Sequence, residues 1–137
     1  MKMPSPHIVP LSSQAVAELR NLQTITGNER WVFPHDWDPG RCMSSGAISG
    51  ALKRMGYRGL MTGHGFRGLA STILHEQGYE EAHIEAQLAH LKRSRVSAAY
   101  DHAKYLKPRT KMMQDWSDYL DGQLEQARSA AALVQIP

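Results

Sequence analysis

The sequence predicts a mainly α-helical domain of the α+β class, with a short β-strand or hairpin remnant at its N-terminus. Apolar residues recur at helical spacing along most of the 137 residues, and only the Pro-rich opening favours a strand. Apolar residues make up 42% of the chain and charged residues 21%, as in one ordinary globular domain. Neither repeats nor a long linker divide the sequence. We therefore expect one helical domain over residues 1–128 and an apolar tail over residues 129–137.

The strand is predicted in the run His7–Val9, because prolines flank this short stretch and confine it to the edge of a sheet. A first helix is predicted directly after it. Ser12 and Ser13 can cap this helix, and Gly27 ends it. Its apolar positions follow the helical period and are Ala15, Val16, Leu19 and Leu22.

Residues 31–41 are rich in Pro, Asp and Gly, a composition that predicts a loop with Trp31–Phe33 as an apolar plug. A second helix is predicted from Ser44 to Gly56, where apolar residues return at helical spacing. Its apolar residues are Ile48, Ala51, Leu52 and Met55.

A third helix is predicted between Thr62 and Gly78. A fourth begins at Glu80 and Glu81, since acidic side chains suit the positive end of a helix. The residues predicted to be buried are Phe66, Leu69, Ala70, Ile73 and Leu74 in the third helix, and Ile84 and Leu88 in the fourth.

Two further helices are predicted near the C-terminus. The fifth lies between Val96 and Leu106, and the sixth follows Pro108, a residue that the first turn of a helix tolerates. The apolar stripe of the sixth helix is Met112, Met113, Trp116, Leu120 and Leu124.

The composition limits which cellular compartment and which class of partner we expect for this protein. A formal charge of +3 and a pI near 9.2 permit binding to nucleic acid without showing it. The single cysteine, Cys42, cannot form an internal disulfide, and no apolar run reaches the length of a membrane span. The histidines lack the spacing of metal ligands. We expect a cytoplasmic protein with no metal site and no membrane contact.

The third helix carries the most informative pair of polar residues. His64 and Arg67 are three residues apart, so they share one face of this helix with Ser71. An arginine fork suits a phosphate, a histidine can donate or shuttle a proton, and Gly65 and Gly68 leave room for a ligand. Taken alone, the pair is more often an ordinary solvated surface.

The surrounding sequence favours the functional interpretation. Residues 61–78, MTGHGFRGLASTILHEQG, are followed by IEAQLAHLKRSRVSAAYDHAKYL at residues 84–106. In residue identity and in order, these stretches resemble the phage integrases, a family of tyrosine recombinases. Together with TKMMQDWSDYLD at residues 110–121, they resemble the satellite-phage branch of that family. The family pattern is His-x-x-Arg, then Leu-Gly-His or Leu-Ala-His, then a nucleophilic tyrosine.

The resemblance implies a catalytic role for five residues of this chain. Tyr100 is the nucleophile, His64 assists proton transfer at the tyrosine, and His90 donates to a non-bridging phosphate oxygen. Lys2, in a segment similar to the second strand of the family's hairpin, protonates the leaving 5′ oxygen. Fixed cationic donors lower the barrier where negative charge develops, so Arg67 is the candidate clamp. This chemistry forms a 3′-phosphotyrosyl bond and needs no metal or cofactor.

The resemblance runs from Lys2 to about Leu124 and covers only the C-terminal part of a recombinase catalytic domain. The family also uses an earlier arginine, upstream of the hairpin, so we expect these residues alone to be nearly inactive. Two alternatives remain: a decayed prophage remnant, or a non-catalytic helical DNA-binding module whose third and fourth helices act as a helix-turn-helix.

Double-stranded DNA is the expected partner, and basic residues near Tyr100 are expected to contact its phosphates. The apolar tail is expected to pack onto a neighbouring protomer on DNA. Tyr105 and Tyr119 are rival nucleophiles by residue type, but we interpret both as packing residues. The predicted DNA-binding residues are Lys92, Arg93, Arg95 and Lys104.

Overall fold

The computed structural model describes residues 7–89 and 105–134 of the chain. In these stretches the protein is mainly helical, with one small antiparallel sheet, in agreement with the predicted mainly α composition. The elements are α1 (Ser13–Thr26), β1 (Pro34–His35), β2 (Asp38–Cys42), α2 (Ala47–Arg54), α3 (Gly63–Glu76), α4 (Glu81–Gln87) and α5 (Leu106–Val134).

The four helices predicted before residue 90 are confirmed, close to their predicted bounds. Glycine termination explains where two of them end. Gly56 follows α2 with a φ of 90° and Gly78 follows α3 with a φ of 82°, conformations that glycine adopts without steric cost. Beyond Gly78, the Tyr79 N–H donates to the Leu74 carbonyl at 3.1 Å and satisfies the open end of α3.

The loop predicted over residues 31–41 is wrong, because a hairpin forms there. Strand β1 pairs antiparallel with β2, with Pro34 opposite Cys42, and the Met43 N–H donates to the Phe33 carbonyl at 2.8 Å. The two strands are short and irregular, so proline and glycine fit where a long regular strand would exclude them. The predicted apolar plug is also wrong, since the side chains of Trp31–Phe33 are exposed.

No strand forms at His7–Val9, so that prediction is wrong in the described part of the N-terminus. In place of strand pairing, the Ile8 backbone and the His7 side chain each make one contact with a distant residue. The Ile8 carbonyl accepts a hydrogen bond from Arg109, and the His7 ring lies 3.1 Å from the Gln87 carbonyl oxygen. Residues 1–6 lie outside the described residues.

The C-terminal helix is longer than predicted. It begins at Leu106, before Pro108, because the first turn of a helix does not need the N–H group that proline lacks. It continues to Val134 and so includes residues 129–134 of the predicted tail. The predicted fifth helix lies outside the described residues except at its end. Among the described helices, none has the length and apolar character to cross a membrane.

The chain forms two compact units. Unit 1 comprises Met1–Ser13 and Leu74–Pro137, and unit 2 comprises Gln14–Ile73. Unit 1 has a hydrophobic core in which Ile84 is fully buried and Leu88 packs at the margin, as predicted. The buried residues of this core are Leu74, Ile84 and Met112, and Tyr79, Leu88, Met113 and Trp116 pack against them.

Unit 2 buries much less. Across residues 14–73, all of which are described, Leu52 is the one buried side chain, at 6% exposure. The predicted stripe of α3 is therefore wrong at its start, where Phe66 and Leu69 are exposed, and right at Leu74.

Candidate active site

The start of α3 is fixed by a side-chain cap. The Gly65 N–H donates to Thr62 Oγ1 at 2.9 Å, and the Phe66 N–H donates to the Thr62 carbonyl at 3.2 Å. A hydroxyl that accepts from the third residue of a helix is the usual N-cap geometry. The cap fixes the residue at which α3 begins, and the two candidate residues lie in the first turns that follow it.

The structure places His64 and Arg67 together on α3, as predicted. Residues three apart in a helix are neighbours on its surface. His64 is exposed and Arg67 is half-buried, so the imidazole is open to a ligand while part of the arginine stem packs against the protein. Both lie near the positive end of the helix, where an anion is favoured. The structure therefore places both predicted residues on the first turns of α3, and their role in binding a phosphate stays a prediction.

The two glycines beside this pair differ in what they allow. A Cβ built at Gly68 would have no heavy atom within 4 Å, so the surface next to Arg67 is open, as predicted. A Cβ at Gly65 would lie 2.9 Å from Met61 Sδ and 3.3 Å from Thr62 Oγ1. Glycine at position 65 is therefore explained by the close approach of Met61 and of the cap, and not by room for a ligand.

The other predicted site residues lie outside the described residues. They are Lys2, His90 and Tyr100 of the catalytic set, and Lys92, Arg93, Arg95 and Lys104 of the DNA-binding set. Their roles remain predictions. Among the described residues, no group of three or more His, Cys, Asp or Glu side chains is arranged to hold a metal ion.

The two residues that border segment 90–104 share an uncommon backbone conformation. Ala89 has a φ of 53° and Tyr105 a φ of 56°, in the left-handed region that favours glycine. Ala89 is the middle residue of the Leu-Ala-His motif, where the family also carries glycine. The positive φ gives a physical reason why glycine also fits at this place, because a Cβ is disfavoured there.

The rival tyrosines make packing contacts in the described structure. The Tyr105 ring lies 4.7 Å from the His83 ring, centroid to centroid, and the Tyr119 ring stacks on Trp116 at 5.8 Å. Both tyrosines are half-buried. These contacts agree with the prediction that they are packing residues.

A buried arginine was missed by sequence reasoning. Arg109 is 1% exposed, and its Nε–H donates to Gln87 Oε1 at 3.0 Å while Nη2 donates to the Ile8 carbonyl at 2.6 Å. Burial lowers the pKa of Arg109, but a guanidinium stays charged at neutral pH. The sequence held one signal, since Arg109 lies on the α5 stripe three residues before Met112.

A second polar cluster joins the residue after α3 to α5. The Tyr79 hydroxyl and the Lys111 ammonium both donate to Asp115 Oδ2. Burial raises the pKa of Tyr79, and the bond to Asp115 adds to that rise. The hydrogen bonds from Lys111 and then Tyr79 lower the pKa of Asp115. The cluster has a structural role, because it lies at the edge of the core of unit 1.

Comparison with known proteins bears on the class of this chain. The sequence profile of the phage integrase family matches residues 1–107. The integrase of Enterobacteria phage P4 is 45% identical over 125 residues, which cover 88% of this chain and 28% of the phage protein. Prophage integrase IntA of Escherichia coli (strain K12) is 42% identical over 118 residues, or 86% and 29% of the two chains. Prophage integrase IntZ of the same strain is 45% identical over 126 residues, or 88% and 30%.

These matches define the protein class as that of the tyrosine recombinases, because the family profile covers most of the chain. Within that class, the chain belongs to the phage integrase family, and the resemblance seen in the sequence is confirmed. The chain spans 28%, 29% and 30% of the length of the three relatives. No solved structure shows a significant match to it.

Proposed function

We propose that this chain supplies part of the active site of a site-specific DNA recombinase that acts in the cytoplasm on prophage DNA. The observation that carries the proposal is the family match over residues 1–107, combined with the placement of His64 and Arg67 on the capped start of α3. An exposed imidazole beside an arginine fork suits the transfer of a phosphoryl group between two hydroxyl oxygens.

The proposed reaction is a transesterification. The Tyr100 phenol oxygen attacks a DNA phosphorus and forms a 3′-phosphotyrosyl ester, and the bond from phosphorus to the 5′ oxygen breaks. The phenol proton passes toward His64, and the leaving 5′ oxygen takes a proton from Lys2. A tyrosine with an ordinary pKa near 10 is a weak nucleophile at neutral pH, so proton removal during attack is needed.

Charge stabilisation is assigned to Arg67 and His90. As the tyrosine oxygen attacks, negative charge grows on the non-bridging oxygens, and donors fixed beforehand stabilise it more than they stabilise the bound substrate. The ester energy is kept in the phosphotyrosyl bond. The 5′ hydroxyl of another strand can then attack phosphorus, release Tyr100 and reseal the DNA without an external energy source.

Binding to DNA and self-association complete the proposal. Lys92, Arg93, Arg95 and Lys104 contact backbone phosphates, so affinity falls as salt rises. The end of α5 packs onto a neighbouring protomer on DNA. This is supported by the exposure of every described side chain from residue 121 to residue 132. If the chain stays a monomer by light scattering at all concentrations, with and without DNA, this contact is absent.

The proposed function is tested by trapping the covalent intermediate on a nicked suicide duplex. Two preparations are compared: the 137-residue chain, and a chimera in which this chain replaces the matching segment of the phage P4 integrase. The duplex carries the recombination site of the phage parent. Each preparation is made as wild type, as Tyr100→Phe and as the control Tyr119→Phe, which keeps the ring stacked on Trp116.

We expect a covalent band from the chimera that disappears in Tyr100→Phe and persists in Tyr119→Phe. The 137-residue chain alone should give little or no band, because the family's earlier arginine is not among its residues. A folded chimera that gives no band, while its phage parent does, would contradict the catalytic proposal. If such a chimera still binds DNA in a salt-dependent way, a non-catalytic DNA-binding module is favoured.

A further inference from the structure

The charged residues of this chain are unevenly distributed along the sequence. Between Asp38 and Glu76 the chain has five Lys and Arg residues and no acidic residue, whereas the whole sequence has 16 basic and 13 acidic residues. The rest of the chain therefore carries more acidic than basic residues. A stretch with one sign of charge produces a positive field that attracts polyanions. The five basic residues are Arg41, Lys53, Arg54, Arg58 and Arg67.

Three of these residues lie where α2 ends and the chain turns toward α3. Lys53 and Arg54 are in the last turn of α2, Arg58 follows Gly56, and all three side chains are exposed. The Arg54 guanidinium extends back along α2, with Nη1 3.5 Å from the position of a Cβ built at Gly50. We refer to Lys53, Arg54 and Arg58 as the basic turn.

Backbone hydrogen bonds fix the shape of the basic turn. The Tyr57 N–H donates to the Leu52 carbonyl at 2.9 Å, and the Tyr57 carbonyl accepts from the Leu60 N–H at 3.0 Å. Gly56 and Gly59 have φ values of 90° and 78°, so the chain can turn on both sides of the arginine between them without a Cβ clash. Because this backbone is already ordered, less conformational entropy is lost when the basic side chains meet a ligand.

Two ordinary explanations account for only part of this cluster. Lys53 and Arg54 complement the negative end of the α2 dipole, but Arg58 lies beyond the helix. Pairing with acidic side chains explains none of it, because within residues 7–89 and 105–134 no carboxylate forms an ion pair with the basic turn. The three cationic groups are therefore open to an anion from outside the chain.

The basic turn belongs to the same unit as the capped start of α3. Gly63, where α3 begins, lies close to α2, since a Cβ built there would be 3.8 Å from Ile48 Cγ2. Arg58 precedes His64 by six positions, which limits the distance between their Cα atoms to about 22 Å. Successive phosphates of one DNA strand are about 3.4 Å apart along the duplex axis. A duplex bound at the start of α3 therefore has phosphates within reach of the basic turn.

We propose that the basic turn binds the sugar-phosphate backbone of double-stranded DNA, beside the phosphate that α3 is proposed to receive. The choice of duplex DNA as the partner rests on the proposed function. Contacts from Lys and Arg to phosphates release counterions from the duplex, which makes the affinity depend steeply on salt. Such contacts fix where the protein lies on the duplex and carry no base sequence information.

The test measures binding of the 137-residue chain to a fluorescent DNA duplex across a series of salt concentrations. The variant Arg54→Gln/Arg58→Gln is compared with Arg20→Gln/Arg30→Gln, which removes the same charge from two exposed positions that each lie within two residues of a glutamate. We expect the first pair to lower affinity about 10- to 50-fold near 0.1 M salt and to reduce the slope of log affinity against log salt by about two. The control pair should change affinity less than about threefold.

A charge-preserving variant separates phosphate contact from a change of fold. Arg54→Lys/Arg58→Lys keeps both charges and should retain the wild-type salt slope, because a phosphate accepts a lysine ammonium as a point charge. Circular dichroism checks the folding of every variant. If Arg54→Gln/Arg58→Gln does not fold, the single variants take its place, and each should reduce the salt slope by about one.

Equal losses of affinity in the two glutamine pairs would overturn the proposal, because net charge alone would then explain binding. Wild type that does not bind the duplex at about 50 mM salt would overturn it as well. If Arg54→Gln/Arg58→Gln instead abolishes a salt-dependent self-association and leaves duplex binding unchanged, a second copy of this chain occupies the surface, and the proposal is wrong. If the chimera forms no Tyr100-dependent adduct while the basic turn gives the expected salt slopes, the catalytic proposal fails and the DNA contact stands.

Discussion

The two units of this chain differ in how their side chains are held. Unit 1 combines a closed apolar core with buried polar anchors, since Ile84 and Met112 are fully buried and Arg109 is 1% exposed. In unit 2, which is described throughout, Leu52 alone is buried, while Trp37 is 89% exposed and many other large apolar side chains are also exposed. Unit 1 is therefore organised by contacts between distant residues, and unit 2 mainly by local helices and a hairpin.

The same difference appears in how the polar side chains of each unit are held. At the start of α3 in unit 2, His64 and Arg67 lie beside the Thr62 cap, a local hydrogen bond that does not depend on a large hydrophobic core. The contacts around Arg109 in unit 1 join residues far apart in sequence. A local hydrogen bond is little affected by substitutions elsewhere in the chain, whereas a contact between distant residues is weakened by a substitution at either of them.

The largest expected effect is that of a substitution in the core of unit 1, compared with one at the buried residue of unit 2. Ile84→Ala should lower the free energy of unfolding by about 3 kcal/mol, because a fully buried side chain leaves a cavity among closely packed neighbours. Leu52→Ala should cost less, about 2 kcal/mol, since the surroundings of Leu52 are open enough to relax. Urea unfolding followed by circular dichroism measures both. Equal costs would show that unit 2 is as tightly packed as unit 1.

A smaller effect is expected at the buried arginine. Arg109→Met should destabilise the protein by about 2 kcal/mol, because Gln87 Oε1 and the Ile8 carbonyl lose their donor. Arg128→Met changes the charge equally on an exposed turn of α5 and should stay within about 0.5 kcal/mol of wild type. The same urea titration compares them. Matching values would contradict a structural contribution from the buried bonds.

The hydrogen bond from the Tyr79 hydroxyl to Asp115 should contribute about 1 kcal/mol to the free energy of unfolding, the net value of one hydrogen bond. The variant Tyr79→Phe removes this bond and tests the contribution. The pKa of Tyr79 is raised above its ordinary 10.0, so its contribution is complete below pH 10 and is lost as pH rises through the raised pKa. The pKa of Asp115 is lowered below its ordinary 3.8, so its contribution is complete above pH 3.8 and is lost as pH falls through the lowered pKa.

Stability measured against pH for wild type and Tyr79→Phe checks both directions. The difference between the two proteins should be largest between about pH 4 and pH 10 and should shrink outside that window. A difference that does not vary with pH would show that the bond between Tyr79 and Asp115 is not the source of the effect.

The smallest effect is expected at an exposed aromatic residue of unit 2. Trp37→Gln should change the free energy of unfolding by less than about 0.5 kcal/mol, because the indole is 89% exposed. Thermal unfolding of the 137-residue chain provides the measurement. A loss comparable to that of Ile84→Ala would show that this side chain is covered in solution and that the two units are more alike.

Local signals explain which elements could be predicted from the sequence. Helices α1 to α4 are indicated in the sequence by capping residues, apolar spacing and terminating glycines. Each of these signals acts on residues close by in the chain, as the Thr62 cap, Gly56 and Gly78 do. The hairpin was missed because its proline and glycine argue against strands, although short irregular strands accept both. The start of the α3 stripe was misjudged because apolar spacing does not report whether another element covers Phe66 and Leu69.

The candidate site shows the same limit. The motif placed His64 and Arg67 on one helix face, because spacing alone determines which residues are neighbours in a helix. The burial of Arg109 depends on acceptors 22 and 101 residues away in sequence, at Gln87 and Ile8, and no local pattern reports such contacts. Roles within segment 90–104 stay predictions drawn from the family.

The central claim, that α3 presents Arg67 to the scissile phosphate, is tested most directly by removing charge from the phosphate itself. Adduct formation by the chimera is timed on suicide DNA that carries either an ordinary phosphate or an uncharged methylphosphonate at the cleavage position. Wild type is compared with Arg67→Gln and with Arg20→Gln, an exposed arginine of α1. We expect Arg67→Gln to lose roughly 10²- to 10³-fold in rate on the phosphate, much less on the methylphosphonate, and Arg20→Gln to lose little on either. Equal losses of Arg67→Gln on both substrates would contradict this role of Arg67.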